Sequence, residues 1–189
     1  MEVAGFLLAG GKSSRMGRDK ALLELDGEAL VQIGLRKLRE VCTEVAIAGG
    51  TAELARFGRI IPDGMAGCGP LGGLVAALED SSAEWNLFLP VDVPLVPVEA
   101  LRRLLSAAGG MNVAVMAEAG GRVHPLCGAY SRGALPALQA ALAAGRYRVR
   151  AAIEAAGQVS RVRFEEDGWF RNVNTPEEFA ELEVRLGDI

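Results

Sequence analysis

Hydrophobic residues along this chain form short apolar runs that alternate with segments of helical spacing. The first run, residues 3–8, is apolar throughout and predicts a buried strand. Later runs predict strands at 45–48, 58–61, 85–91 and 113–116, and helical spacing predicts helices near 30–41, 71–78 and 98–105. This alternation is typical of an α/β fold with a mostly parallel, Rossmann-like sheet and helices on both faces.

The pattern changes after residue 120. An extended segment is predicted at 122–130, and late strands are predicted at 160–164 and 170–173. Helices are predicted at 134–143, 148–156 and 176–186. Because no linker or repeat interrupts the chain, we expect residues 1–189 to form a single domain.

Composition and charge exclude several classes of protein. Half of the 189 residues are hydrophobic and only 5% are aromatic, which predicts an aliphatic core. The net charge of -4 argues against a general nucleic-acid binder. No apolar run has the length of a membrane span. The three cysteines have no metal-binding spacing, so we expect reduced thiols and a cytoplasmic protein.

A glycine-rich, basic loop follows the first predicted strand and reads LAGGKSSRMGRDK over residues 8–20. Adjacent glycines let backbone N–H groups point into one concavity, which binds anions. The cations of the loop would neutralise a polyphosphate, and they are Lys12, Arg15, Arg18 and Lys20. A Walker A loop is excluded because Phe6 stands where it requires glycine, and the G-x-G-x-x-G pattern is missing. The loop therefore predicts a nucleoside triphosphate site of another kind.

Two aspartates follow other predicted strands, at the edge where ligands of parallel sheets bind. Asp63 opens a glycine-rich segment that leads into a helix, although a plain turn aspartate is the common alternative. Asp92 is the one charged residue between positions 85 and 95. Mg²⁺ usually takes one or two carboxylates together with phosphate oxygens, so Asp92 is a candidate magnesium ligand. A turn or helix cap before Pro94 is the alternative.

Two further motifs have strong structural explanations. Thr175, Pro176 and Glu178 form a capping box for the last predicted helix, while Asn172 and Asn174 would share one side of a strand. His124 is the one histidine of the chain, and isolated histidines are more often structural than catalytic.

The order of these motifs, from Leu8 to Phe179, resembles that of the molybdenum cofactor guanylyltransferases, which are MobA-like nucleotidyltransferases. The resemblance implies a nucleotidyltransferase fold. It also implies transfer of GMP from GTP to the phosphate of molybdopterin, with Mg²⁺ as cofactor and pyrophosphate as the second product. The cytidylyl relatives usually differ at the third residue of LAGG, which favours GTP.

The resemblance also assigns roles to residues. It implies catalytic roles for Arg15, Lys20 and Asp92, and magnesium binding by Asp92 and Asn174. His124 would lie beside the acceptor. The nucleotide-binding residues that it implies are Leu8, Ala9, Gly10, Gly11, Lys20, Asp63, Gly69, Pro70, Leu71 and Asp92.

One departure from the family and three alternative functions stay open. The family often has a nucleotide-contacting asparagine after the second strand, and here the Gly49 backbone or the Thr51 hydroxyl would have to replace it. The alternative functions are a cytidylyltransferase, a sugar-phosphate nucleotidyltransferase and a non-catalytic nucleotide-binding protein. The expected partners are GTP, molybdopterin and, transiently, proteins that supply or receive the cofactor, without nucleic acid or membrane.

Overall fold

A computed structural model of the chain describes residues 2–10, 19–64, 67–173 and 178–179. The strands within these ranges are β1 (Val3–Leu8), β2 (Glu24–Leu25), β3 (Glu28–Ala29), β4 (Glu44–Ala48), β5 (Ile60–Ile61), β6 (Trp85–Pro90), β7 (Asn112–Ala119), β8 (Arg122–Ser131) and β9 (Gln158–Phe164). The α-helices are α1 (Leu30–Arg39), α2 (Pro70–Asp80), α3 (Val98–Ser106), α4 (Leu135–Ala143) and α5 (Val149–Glu154).

The main sheet has seven strands among the described residues, in the order β5-β4-β1-β6-β8-β7-β9. Strands β5, β4, β1 and β6 are parallel neighbours, and β7 and β9 are parallel to each other. Strand β8 runs antiparallel to both of its neighbours, β6 and β7. The prediction of an α/β fold with a mostly parallel sheet is therefore confirmed.

Apolar layers cover both faces of the sheet, as the alternation of side chains along β1 requires. Leu7 packs with residues of α1 and α3 on one face, while Phe6 and Leu8 pack with residues of α2, α4 and α5 on the other. The Phe6 ring stacks on the Phe88 ring of β6 with 5.3 Å between centroids. In the described part of the chain, no helix is long and apolar enough to cross a membrane.

The structure departs from the predicted elements mainly near the C-terminus. The predicted strand at 170–173 is wrong, because a 3₁₀ helix spans Asp167–Phe170 and packs the Phe170 ring 5.1 Å from the Phe164 ring. The helix predicted at 176–186 lies mostly outside the described residues. The sequence reading also missed the short β2–β3 hairpin and the 3₁₀ helix at Ala52–Arg56.

The four parallel strands β5, β4, β1 and β6 end in one row. In the strand register, Leu8 is paired with Ala48 on one side and with Pro90 on the other, and Ala48 is paired with Ile61. One further backbone hydrogen bond continues each pairing past the strand ends, for example from Val91 N to the Leu8 carbonyl at 3.0 Å. Whatever follows these strands is therefore brought together at one edge.

Candidate active site

The residues that follow this row include several that the sequence predicts to bind the nucleotide or the metal. Gly10 follows β1, Gly49 follows β4, Asp63 follows β5 and Asp92 follows β6. The carboxyl edge of a parallel sheet is where open α/β proteins bind ligands. Four predicted binding segments thus meet at the edge that the topology favours.

Lys20 and Asp92 form an ion pair at the centre of this edge. Lys20 Nζ lies 3.5 Å from Asp92 Oδ2, and the two side chains are only 15% and 22% exposed. Burial raises the pKa of Asp92 above its usual range, and the Lys20 charge offsets only part of that rise. A carboxylate held this way is stabilised by any cation that approaches it.

A short turn presents Lys20 to Asp92. Asp19 caps the 3₁₀ helix Lys20–Leu22 by accepting a hydrogen bond from Ala21 N at 3.1 Å. The other oxygen of the same carboxylate accepts from the Thr51 hydroxyl at 2.9 Å. Thr51 follows β4, so this bond ties the turn that carries Lys20 to the end of the sheet. The sequence reading missed this contact.

The two candidate substitutes for the family's asparagine already have partners. The Thr51 hydroxyl donates to Asp19. The Gly49 amide donates to the Ile61 carbonyl at 2.9 Å and so belongs to the sheet. The Thr51 hydroxyl proton and the Gly49 amide are therefore already used within the protein.

The Asp63 carboxylate packs tightly among three glycines. A Cβ atom built on Gly10 would lie 3.0 Å from an Asp63 oxygen, and one on Gly49 or Gly73 would lie 3.1 Å away. Burial raises the pKa of this carboxyl group. Asp63 therefore packs against Gly10 in the loop after β1, while its role in holding base or ribose stays a prediction.

Replacing Gly49 by alanine is expected to lower the free energy of unfolding more than the same change at Gly27. Both glycines have nearly the same φ, +77° and +75°, which costs a side chain about 1–2 kcal/mol. A Cβ on Gly49 would also lie 2.9 Å from Gly10 Cα, whereas Gly27 has no atom within 4 Å. Urea denaturation of the two variants measures the difference, and equal losses would contradict the close packing at Gly49.

The second glycine-rich motif starts helix α2 at the same edge. Gly69 is the N-cap with a φ of +60°, and Pro70 occupies the first turn, where its missing N–H is not needed. Leu71 is fully buried, so only its backbone could contact a nucleotide. Leu8 and Ala9 are also buried, and the same limit holds for their side chains.

Three of the predicted site residues, Gly11, Arg15 and Asn174, lie outside the described residues. Asn172 is described and exposed. Residues 171–173 do not form the strand that was predicted to place Asn172 and Asn174 on one side. Within the described ranges, no three His, Cys, Asp or Glu side chains gather into a metal cluster. Asp92 would supply one carboxylate, which suits an Mg²⁺ ion that arrives with the phosphates of a nucleotide.

His124 lies on the part of β8 that pairs with the carboxyl end of β7, at the same edge of the sheet as the end of β6 and Asp92. Its ring centroid is 4.9 Å from that of Phe170, and burial lowers its pKa. The packing on Phe170 explains the residue structurally. A contact with the acceptor stays a prediction.

Comparison with known proteins shows which proteins this chain is similar to. The MobA-like NTP transferase domain model matches residues 5–161. A molybdenum cofactor guanylyltransferase of Cereibacter sphaeroides is 38% identical over 98% of each chain, and one of Serratia proteamaculans is 32% identical over 98% of this chain and 96% of its own. The solved structure of molybdopterin-guanine dinucleotide biosynthesis protein A from Archaeoglobus fulgidus superposes with a TM-score of 0.80 over both full lengths at 23% identity, which shows a shared fold.

Proposed function

This chain belongs to the molybdenum cofactor guanylyltransferase family of MobA-like NTP transferases, and we propose that it transfers GMP from GTP to the phosphate of molybdopterin. The products are molybdopterin guanine dinucleotide and pyrophosphate. One observation supports the proposal most: Lys20 and Asp92 meet at 3.5 Å on the sheet edge where the glycine loop leaves β1.

The reaction needs positioning and charge stabilisation more than proton transfer. An oxygen of the acceptor phosphate attacks the α-phosphorus of GTP, and the bond from that phosphorus to the bridging oxygen of the pyrophosphate breaks. A phosphate monoester has a second pKa near 6, so the nucleophile is already ionised at neutral pH. No side chain has to act as a general base, and catalysis can come from orientation and electrostatics.

The described residues can account for both the positioning and the charge stabilisation. The amide of Gly10 would donate to the phosphate chain, and the Lys20 ammonium would neutralise charge on the α-phosphate and the leaving pyrophosphate. Asp92 would hold Mg²⁺ jointly with phosphate oxygens. The ion would supply Lewis-acid stabilisation of the phosphoryl oxygens. Arg15 and Asn174, outside the described residues, are proposed to assist Lys20 and Asp92 respectively.

Asp63 and the backbone from Gly69 to Leu71 are proposed to hold the guanosine part of GTP. They stand on the β5 and α2 side of the phosphate site. We place the reaction in the cytoplasm, which agrees with the three free cysteines Cys42, Cys68 and Cys127. Transient contact with proteins that deliver or accept the cofactor belongs to the same proposal.

The test is pyrophosphate release in the presence of molybdopterin and Mg²⁺, with GTP, CTP and ATP compared. We expect release with GTP alone. Release with CTP would assign the protein to a cytidylyltransferase function. Release only when a sugar phosphate replaces molybdopterin would assign it to sugar activation, and tight GTP binding without any release would leave a nucleotide-binding protein.

A further inference from the structure

Lys37 is a half-buried cation that the proposed reaction does not use. It lies in α1, and its Nζ donates hydrogen bonds to the backbone carbonyls of Pro94 at 2.5 Å and of Val96 at 2.8 Å. Burial lowers its pKa to about 8. A methionine of similar size could fill the same space without this cost, so the two bonds to the carbonyls are the feature that needs an explanation.

Both carbonyls belong to the loop at residues 91–97, which joins β6 to α3 and carries Asp92. The loop is poorly held by its own backbone. Its internal hydrogen bonds are long, at 3.4 Å from Val93 N to the Pro90 carbonyl and 3.3 Å from Val96 N to the Val93 carbonyl. Ordinary backbone bonds are about 2.9–3.0 Å long. Two of the seven residues are prolines, which have no N–H to donate.

Contacts from other elements hold the two halves of this loop separately. On the upstream half, Val91 N donates to the Leu8 carbonyl at 3.0 Å, and Val173 N donates to the Asp92 carbonyl at 2.8 Å. On the downstream half, Lys37 supplies its two short bonds. Asp92 therefore lies in the half that β1 and Val173 hold, next to the half that a side chain of α1 holds.

We propose that Lys37 is a positioning residue for Asp92: by holding the Pro94 and Val96 carbonyls, it keeps the 91–97 loop in the conformation that presents the Asp92 carboxylate to a metal-bound nucleotide. This inference rests on the proposed function, because the affinity for Mg²⁺ and GTP together is what depends on the position of Asp92. The hydrogen bonds of Lys37 go to the loop and not to Asp92 itself.

The experiment compares Lys37→Met with Arg36→Met. Methionine keeps the length and helix propensity of lysine but donates no hydrogen bond. Arg36 is the neighbouring residue on α1, and its side chain pairs with the exposed Glu28 at 2.9 Å instead of the loop. Amide hydrogen exchange of a peptide covering the 91–97 loop is measured first, without ligand. We expect exchange about tenfold faster in Lys37→Met and unchanged in Arg36→Met.

The second measurement is GTP affinity with Mg²⁺ and with EDTA. We expect Lys37→Met to leave the affinity in EDTA within about twofold and to reduce the enhancement by Mg²⁺ about tenfold, as removal of residues that orient metal ligands does. A merely structural lysine would instead lower Tm and leave the enhancement unchanged.

Three outcomes decide the question. Faster exchange together with a reduced Mg²⁺ enhancement supports the proposal. Unchanged exchange overturns it, and so does faster exchange with an unchanged enhancement. If the wild-type chain shows no Mg²⁺ enhancement at all, the proposed function fails, and with it the link from Lys37 to metal binding. The exchange measurement then still decides separately whether Lys37 holds the loop.

Discussion

Replacing Lys20 by alanine is expected to reduce molybdopterin-dependent pyrophosphate release at least about 100-fold, the loss seen when one preorganised donor to a transition state is removed. Lys20 is the cation that the described structure places within 3.5 Å of Asp92 at the sheet edge. Its turn is capped by Asp19 and bonded to Thr51, and neither contact involves the Lys20 side chain. The fold should therefore survive the change, with a far-ultraviolet circular dichroism spectrum like that of the wild type.

Arg59→Ala is the matched control for Lys20→Ala. Arg59 forms an ion pair with Asp80 at 2.6 Å, at the opposite edge of the sheet, where β5 begins and α2 ends. A surface ion pair contributes about 0–1 kcal/mol to the free energy of unfolding, so this variant should keep full activity and nearly full stability. Near-normal turnover of Lys20→Ala would show that the phosphates bind elsewhere.

The second large effect is expected at Asp92, where asparagine should lower kcat about 1000-fold or more and abolish the Mg²⁺ dependence of GTP binding. The amide keeps the shape of the side chain but loses the charge that holds the metal. Because burial raises the pKa of Asp92, the charged form is costly, and the neutral variant should be as stable as the wild type or more stable. Turnover with different Mg²⁺ concentrations and thermal unfolding measure the two effects.

Asp80→Asn controls for the loss of a carboxylate far from the site. It removes the partner of Arg59 and should leave Mg²⁺ dependence unchanged. The double variant of Lys20 and Asp92 adds a further test, because residues in contact are not independent. We expect it to lose much less activity than the product of the two single losses. Fully multiplicative losses would mean that the two residues act on separate steps.

The sequence predicts those parts of the fold that depend on local pattern and on topology. An apolar run of six residues that is soon followed by two glycines favours a buried strand over a helix, and β1 was predicted with both of its ends. Once β1 and β6 are parallel neighbours, their carboxyl ends share an edge, and Asp92 must lie near the glycine loop. This reasoning predicts where Asp92 lies, but it does not predict that Asp92 binds a metal.

Contacts between distant segments escape this reasoning. The hydrogen bond from Thr51 to Asp19 joins residues 32 positions apart, and no periodicity in the sequence predicts it. Lys37 did carry a signal, because it stands seven residues after Leu30 and four after Ile33, on the apolar stripe of α1. The segment at 170–173 begins and ends with an apolar residue, but Phe170 ends a 3₁₀ helix and packs its ring on Phe164, so tertiary packing overrode the predicted strand.

Because four strands end in one row, insertions and deletions within these strands would be tolerated far less than those in the loops. A residue inserted into β6 would move Asp92 along the sheet by about 3.3 Å and turn its side chain to the opposite face. A residue inserted into the connection between β5 and α2 would leave the Asp92 side chain where it is. Over evolutionary time, we therefore expect insertions and deletions in relatives of this chain to accumulate beyond the row, where they can reshape the substrates accepted without moving the phosphate site.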